Sequence, residues 1–286
     1  MALNNFIPEI WAARLLQNLL KSQVYTQESV INRDYEGDIA NAGDTVRINA
    51  IGEVTVGTYT KNTNIGDPET LDDASTTLLI DQSKYFNFQV DDVDRAQQRP
   101  KVMDGAMLQA AYALRDTADQ YVAGLYTDIA TANLIGTTAS PKTDLGTAGQ
   151  PYKYLVDLGV LLDEANVPTD GRWVIVPPWF HGLLLQDTKF VSSGSSQAED
   201  RLANGMIGEA AGFNIFKSNN VPNTSATKYR IMAGHPMAWS FAEQVNKIES
   251  YRPEKRFADA VKGLHLYGAK LVRPTAIAVL TANKPS

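Results

Sequence analysis

The sequence predicts an α+β fold in which β-strands flank one long amphipathic helix. Three observations predict this class: apolar and polar residues alternate from residue 44, a helical stripe spans residues 101–133, and the tail after residue 245 alternates again. The chain has 286 residues, of which 44% are hydrophobic and 20% charged, so it can bury a sizeable core. This length suits either one large domain or two interleaved domains.

Charge and cysteine content exclude several classes of function. Lys and Arg total 26 against 32 Asp and Glu, a formal net charge of −6 with no block of like charge, so a basic nucleic-acid clamp is not expected. Cysteine is absent, which excludes a disulfide scaffold, thiol catalysis and thiolate metal sites. No apolar run reaches the roughly 18 residues of a membrane span, and the first twenty residues do not resemble a secretory signal. We therefore expect no membrane partner.

The first predicted element is a short amphipathic helix close to the N-terminus. Pro8 and Glu9 suit its first turn and Lys21 its last, which matches the side-chain charges to the helix dipole. Its apolar positions are Ile10, Trp11, Leu15, Leu16, Leu19 and Leu20. Such a stripe needs an apolar surface, which either the same subunit or a neighbour could supply.

A long β-hairpin with a solvated tip is predicted next. Val46, Ile48 and Ala50 alternate with polar residues, and the stretch 58–73 is polar with almost no large apolar residue, so it cannot bury much of itself. The predicted strands occupy residues 44–50, 54–56, 76–80 and 85–90.

The strongest periodicity in the chain predicts a long helix. Apolar residues recur at spacings of three and four from Met103 to Ala132, and an unbroken helix over residues 101–133 would be about 50 Å long. Gly105 and Gly124 weaken it locally, so a break at Gly124 is the alternative.

The remaining elements alternate after a Gly/Thr/Ser/Pro linker at residues 134–150, the clearest candidate boundary. The middle region reads as α+β or α/β, with helices at 154–165 and 179–186, strands at 173–176, 213–216 and 229–232, and a loop at 192–197. The tail is predicted as strands at 245–251, 257–261, 264–272 and 275–281, with Gly263 and Pro274 as breaks.

Chemistry-bearing motifs are missing from the sequence. His181, His235 and His265 have no metal-ligand spacing, and the glycine-containing segments fit neither a nucleophile elbow nor a phosphate-binding loop. Acidic clusters such as Asp91 to Asp94 fail the calcium-loop spacing. We therefore assign no catalytic, metal-binding or cofactor-binding residue and expect no cofactor.

Three segments carry a resemblance to a known family. Phe257-Ala258-Asp259 precedes the stretch 264–279 with its Arg273-Pro274-Thr275-Ala276-Ile277, the segment 205–222 is glycine-punctuated, and the chain opens with Ile7-Pro8-Glu9-Ile10-Trp11. In this order they resemble the major capsid (coat) protein of tailed bacteriophages, which has the HK-ninety-seven-like fold. The resemblance covers nearly the whole length of the chain.

The resemblance implies a domain order for this sequence. That fold comprises an N-terminal arm, an extended β-hairpin called the E-loop, a long spine helix, a peripheral P-domain and a central A-domain. The implied divisions are 1–36 for the arm, 37–95 for the E-loop and flanking strands, 96–150 for the P-domain spine helix and linker, 151–242 for the A-domain, and 243–286 for the P-domain return strands.

The resemblance also implies a structural function without enzymatic activity. The chain would form pentamers and hexamers of an icosahedral phage head that encloses double-stranded DNA without reading its sequence. Its acidic balance is compatible with this role, because a basic wall would grip the duplex. A separate scaffolding protein and a portal would be partners, with assembly in the host bacterial cytoplasm.

The implied subunit contacts fall on three segments. Trp11, Leu15 and Leu19 would dock the arm on a neighbour, Lys61, Asn64 and Asp67 would lie at the hairpin tip, and Asp259 and Arg273 would serve the return strands. Some family members crosslink through an E-loop lysine, but the asparagine and glutamate of that motif have no match here, so Lys61 is expected to be a plain exposed lysine.

Two alternative functions follow from different assumptions. An encapsulin-type nanocompartment would keep the fold and enclose an enzyme cargo instead of DNA. A small α/β enzyme would instead assemble its site around residues 173–181.

Overall fold

The computed structural model describes residues 24–34, 45–51, 58–62, 64, 73–91, 102–187, 209–255 and 257–285. Its helices are α1 (Val102–Gly124), α2 (Gln150–Glu164) and α3 (Pro178–Gln186). Its strands are β1 (Thr45–Ile51), β2 (Asp73–Leu79), β3 (Gln82–Asp91), β4 (Leu134–Ile135), β5 (Trp173–Val176), β6 (Glu209–Ala210), β7 (Phe213–Lys217), β8 (Asn223–Thr224), β9 (Lys228–Gly234), β10 (Trp239–Tyr251), β11 (Ala258–Leu271) and β12 (Ile277–Asn283).

A mixed seven-stranded sheet contains most of the hydrophobic core. Its strands lie in the order β4-β12-β9-β5-β7-β6, with β8 paired to β9. β5 pairs in parallel with β7 and antiparallel with β9, and its four residues are completely buried. A continuous run of apolar residues is typical of a strand covered on both faces, which explains why the run 173–176 predicted this strand correctly.

A three-stranded antiparallel sheet, in the order β10-β11-β3, carries the long helix. Ala111 and Leu114 of α1 pack with Ile248 of β10 and Val261 of β11. Ala111 and Leu114 belong to the predicted apolar stripe, and Ile248 and Val261 belong to predicted strands. The amphipathic pattern therefore correctly identified the buried face of the helix.

The predicted β-hairpin is present as the antiparallel pair β1 and β2. The register runs from Thr45 opposite Leu79 to Ile51 opposite Asp73. The hairpin lies against the face of β11 that points away from α1, where Leu78 packs with Leu266. The described residues between the two strands, 58–62 and 64, are all exposed.

The long helix is shorter than an unbroken run to residue 133. α1 ends at Gly124, so it has 23 residues and is about 34 Å long. Two 3-10 turns follow, Leu125–Asp128 and Thr131–Asn133. Leu125 and Ile129 still pack on the core, so the apolar spacing continues after the α-helix stops. The change from α-helical to 3-10 geometry falls at Gly124, a residue whose helix propensity is roughly 1 kcal/mol below that of alanine.

The expected strand break at Gly263 is wrong, because β11 is continuous from Ala258 to Leu271. Gly263 pairs directly with Phe86 of β3, and a Cβ at this position would collide with the Phe86 ring. The glycine therefore allows a close approach inside the strand instead of ending it.

The expected linker at residues 134–150 is integrated into the core. Leu134 pairs in parallel with Val279 of β12, and Leu145 is buried. β12 itself lies in the seven-stranded sheet, whereas β10 and β11 lie in the three-stranded one. The chain after residue 243 thus contributes to both sheets, and the proposed division into domains stays a prediction.

The approach of the hairpin to β11 generates a prediction about Gly268. A Cβ at this position would collide with the Leu79 carbonyl and lie 3.0 Å from Ile80 Cα, and backbone atoms cannot rotate away. Gly268→Ala is therefore expected to lower the free energy of unfolding by about 1–3 kcal/mol. Urea unfolding of the dissociated subunit measures this.

Gly105→Ala is the matched control, because a Cβ at Gly105 of α1 meets nothing within 4 Å. It should stabilise the subunit by up to about 1 kcal/mol through helix propensity. Equal effects of the two substitutions would contradict the close approach at Gly268.

Candidate functional site

The segment 24–34 fastens the N-terminal part of the chain to α1. Asp119 of α1 is buried, and its carboxylate accepts hydrogen bonds from the Val24 N–H (3.1 Å) and the Thr26 hydroxyl (3.2 Å). Burial raises the pKa of Asp119 to about 6, and these hydrogen bonds and the charge of Arg115 oppose the rise. α1 therefore holds residues 24–34 through hydrogen bonds to the Asp119 carboxylate, although burial of this carboxylate costs free energy.

The other end of the segment is held by a buried ionic cluster. Arg33 forms an ion pair with Glu243 of β10, and Glu243 Oε2 lies 3.0 Å from His265 Nε2 of β11. Arg33 also donates to the Thr26 carbonyl (3.2 Å). Burial raises the pKa of Glu243, but the His265 hydrogen bond and the Arg33 charge outweigh it, so this pKa lies below its ordinary value. Arg33 and His265 thus both stabilise the ionised form of Glu243.

Backbone pairing completes the attachment of this segment. The Asn32 N–H donates to the Trp239 carbonyl (3.0 Å), and the Phe241 N–H donates to the Asn32 carbonyl (2.9 Å). Tyr25 and Ile31 are completely buried on the main core. We call residues 24–34 with these two carboxylate contacts the anchor segment. It fixes the start of the segment that precedes β1 and the end of the segment that contains Trp11.

The hairpin joins the body through a small cluster of apolar contacts. Ile48, Leu78 and Ile80 pack with Ala242 and Leu266, apart from the main core. Among the side chains that the structure describes, this cluster is much smaller than the main core.

Large apolar side chains are exposed on two of the helices, on the hairpin and on the three-stranded sheet. On α1, Leu108 and Tyr112 lie one turn apart and are 54% and 57% exposed. The other described examples are Tyr59, Leu79, Tyr85, Val156, Val160, Tyr251 and Phe257. Contiguous exposed apolar surface is typical of protein contact sites.

The polar face of the three-stranded sheet is organised around Tyr251. Lys262 pairs with Glu249 (2.8 Å), and its ammonium lies 5.3 Å from the Tyr251 ring centroid. The Tyr251 hydroxyl donates to Asn87 (3.1 Å), which joins β10 to β3 across β11. Hydrogen bonds and charge pairs thus order this face up to the exposed Phe257.

The structure places the predicted contact residues on separate elements. Lys61 and Asn64 are exposed between β1 and β2. Asp259 is half-buried in β11, opposite Val90. Arg273 is exposed beside a 3-10 turn and donates to Met237 Sδ (3.3 Å). The predicted residues Trp11, Leu15, Leu19 and Asp67 lie outside the described residues.

The residues that attach the anchor segment were not identified from the sequence. Arg33 and Glu243 carry no local motif, and the sequence around His265 shows only that it lacks metal-ligand spacing. A signal was available for Asp119, because it lies directly beside Ala118 on the apolar stripe of α1, where a carboxylate is unusual.

The described residues also bear on metal binding and membrane insertion. Within the described ranges, no group of three His, Asp or Glu side chains could hold a metal ion. No helix in the same ranges combines the length and hydropathy needed to cross a membrane.

Comparison with known proteins identifies the family. A family model described as phage capsid protein matches residues 74–280, well over half of the chain. The chain belongs to this phage capsid protein family. It is a structural major capsid protein of the virion shell, and its assemblies are homo-oligomeric. No curated protein sequence is significantly similar to it.

Solved structures resemble the capsid protein over nearly its full length. A structure from Mycobacterium phage Che8 is 28% identical, with a TM-score of 0.70, covering 98% of this chain and 94% of that one. The capsid of Cyanophage P-SCSP1u has a TM-score of 0.72 at 18% identity, covering 91% and 88%. These matches confirm the predicted HK-ninety-seven-like α+β fold class.

A virus-like particle from Pyrococcus furiosus also matches the capsid protein. Its TM-score is 0.55 at 16% identity, covering 96% of this chain and 99% of that one. This likeness shows the fold alone.

The pKa of Asp119 makes the stability of the capsid protein dependent on pH. A carboxyl group whose pKa is raised by folding binds more protons when folded, so its contribution is present below about pH 4 and is lost as the pH rises through 6. Asp119→Asn does not titrate. The stability of the natural protein relative to this variant should therefore fall by up to about 3 kcal/mol from pH 4 to pH 7.

Urea unfolding of both proteins across this pH range measures the difference. Asp116→Asn is the control, because Asp116 bonds with Gln120 on the exposed side of the same helix. A constant difference between the natural protein and Asp119→Asn at all pH values would refute the role of burial.

Proposed function

We propose that this capsid protein assembles through pentamers and hexamers into an icosahedral phage head that encloses double-stranded DNA. The observation that carries the proposal is that a member of the capsid family exposes large apolar side chains on both helical and sheet elements, with Phe257 81% and Tyr85 77% exposed. Such surface is costly in an isolated subunit and is stabilised when neighbouring copies cover it.

The arm and the hairpin supply the reaching contacts in this proposal. Trp11, Leu15 and Leu19 dock on a neighbouring subunit, and Lys61, Asn64 and Asp67 contact a neighbour from the hairpin tip. The anchor segment supports this role. Because Val24 and Thr26 are hydrogen-bonded to Asp119, a displacement of the arm would be passed on directly to α1. Exposed Lys61 and Asn64 are compatible with a tip that contacts another chain.

The return strands supply contacts near the subunit body. Asp259 and Arg273 take this role in the proposal, and exposed Arg273 beside Met237 offers both a charge and an apolar stem. The divisions 1–36, 37–95, 96–150, 151–242 and 243–286 remain the proposed arm, E-loop, spine, A-domain and return strands.

Maturation in this proposal is a rearrangement of packed elements. Expansion of the shell tilts α1 and extends the hairpin as DNA enters. The small cluster around Leu78 and Leu266 supports such a change, because fewer apolar contacts must break than in the main core. A separate scaffolding protein and a portal are the proposed partners, assembly takes place in the host bacterial cytoplasm, and the chain itself performs no catalysis.

An encapsulin-type nanocompartment is the second candidate. It would keep the same fold and enclose an enzyme cargo instead of DNA, and the likeness to the virus-like particle from Pyrococcus furiosus concerns that fold alone. Neighbouring genes separate the two candidates: terminase, portal and scaffold genes support a phage head, and a ferritin-like or peroxidase gene supports a compartment.

Electron microscopy with sedimentation velocity tests the proposal on the full chain, alone and with its upstream neighbour gene product. We expect closed shells or rings of five and six subunits. Trp11→Ala and deletion of residues 60–71 should each reduce assembly severalfold, since each removes contacts that are made many times per shell. Gln17→Ala, on the polar side of the predicted N-terminal helix, is the control for Trp11→Ala.

Two results would count against the proposal. A single compact species under both conditions would exclude shell formation by this chain. Unaltered assembly in both variants would remove the assigned roles of the arm and the hairpin tip while leaving the shell function intact.

A further inference from the structure

Four cations lie at one edge of the seven-stranded sheet. Arg230 and Lys228 are on β9, where they pair with Thr281 and Asn283 of β12. Lys142 adjoins the same end of β12, since its N–H donates to the Thr281 carbonyl (2.9 Å). Lys284 follows β12, and its N–H donates to the Thr227 carbonyl (2.8 Å). We call these four residues the basic edge.

Arg230 is the unusual member of the basic edge, because it is only 6% exposed. Its guanidinium donates to the hydroxyls of Thr138 (3.0 Å) and Thr224 (2.9 Å), and it lies 4.6 Å from the centroid of the Tyr126 ring. All of these partners are neutral. A buried guanidinium is ordinarily balanced by a carboxylate, because removing an uncompensated charge from water costs several kcal/mol.

The three lysines of the basic edge also lack a counter-charge. Within the described residues, none of Lys142, Lys228 and Lys284 forms an ion pair. Lys228 Nζ donates to the Thr138 carbonyl (2.8 Å), so it reaches the same loop as Arg230. The side chains of Arg230 and Lys228 thus meet at Thr138, and Lys142 and Lys284 lie beside them along the chain at this edge, with no described carboxylate paired to any of the four, on a chain whose net charge is −6.

We propose that the basic edge binds phosphate oxyanions, with Arg230 at the base of the site and the three lysines at its rim. A guanidinium fork matches two phosphate oxygens, and lysines add charge without demanding a fixed geometry. The Thr138 and Thr224 hydroxyls accept from Arg230 and keep their O–H hydrogens to donate to a further acceptor. A phosphate group presents several acceptor oxygens and suits this mixture of charged and hydroxyl donors.

The phosphate group has two possible sources, a free polyphosphate compound or the phosphodiester backbone of DNA. The site goes beyond the proposed function, since shell assembly does not require an anion at this edge. Assembly and anion binding are measured separately, so a negative result for anion binding would not contradict the proposed shell function, and a negative result for assembly would not contradict the phosphate site.

The test titrates the full-length protein with inorganic tripolyphosphate and, separately, with a short DNA duplex, and follows the melting temperature and tryptophan fluorescence. Trp179 reports on strand β9, because its ring lies 5.5 Å from that of Tyr229, on the sheet face opposite the Arg230 side chain. Binding should raise the melting temperature. Replacing the three lysines by glutamine should weaken binding about tenfold or more, and should lower the salt slope for DNA by about one per lysine.

Two further variants make the test specific. Substituting Lys84, Lys255 and Lys270 by glutamine removes the same charge from exposed positions in the other sheet and its connecting turn, and should leave binding nearly unchanged. Arg230→Lys keeps the charge and removes the fork, so it should weaken tripolyphosphate binding. Because Arg230 also contacts Thr138 and Thr224, the lysine variants decide the question if this variant does not fold.

Each outcome has a defined meaning. Binding of both ligands that depends on the basic edge supports the site and identifies the DNA backbone as one source. Binding of tripolyphosphate alone supports it with a free phosphate compound as the source. Equal or tighter binding of polyglutamate would overturn it in favour of an acidic polypeptide. Absence of saturable binding, or equal loss in the control triple variant, would overturn it as well.

Discussion

Strand β11 organises the part of the fold that assembly would use, because both of its faces are covered by different elements. It pairs with β3 and β10 at its edges, presents Val261 to α1 on one face and presents Leu266 to the β1–β2 hairpin on the other. Gly263 and Gly268 lie on opposite faces and allow close contacts with Phe86 and with the hairpin backbone. The strand thus sets the positions of the long helix and the hairpin relative to each other.

The anchor segment adds an electrostatic constraint to this packing. One carboxylate on α1 and another on β10 hold the two ends of a segment whose middle is buried, and His265 of β11 joins the second of them. A buried carboxylate that lost these partners would be energetically costly, so the hydrogen bonds to Asp119 and the ion pair with Glu243 both favour the observed position of the segment. Residues 24–34 therefore have a fixed position against α1, β10 and β11.

The elements of the fold were largely predictable from sequence periodicity, and their long-range arrangement was not. The apolar run 173–176 and the stripe containing Ala111 and Leu114 depend on neighbours close in sequence, and both predictions are confirmed. Pairing of β12 with β9 and β4 depends on residues far apart in the chain. Gly263 shows the limit, because a glycine that ends a strand and one that admits a ring look the same in sequence.

The candidate site was less predictable for the same reason. Arg33, Glu243 and His265 belong to one cluster, but no spacing links positions so distant in the chain. The basic edge is similar, because the acidic composition predicted no basic nucleic-acid clamp, whereas Lys142, Arg230 and Lys284 come to one edge of the sheet only after folding. Net charge describes the average surface and carries little information about a local one.

Exposed apolar residues and buried carboxylates have opposite effects on a shell subunit. Phe257 and Tyr112 leave apolar surface in water, which favours association with other copies. Asp119 and Glu243 hold the two ends of the anchor segment in one position against α1 and β10. Individually weak contacts repeated over many copies then suffice for a closed assembly, since a fixed geometry converts each further contact into an intramolecular one.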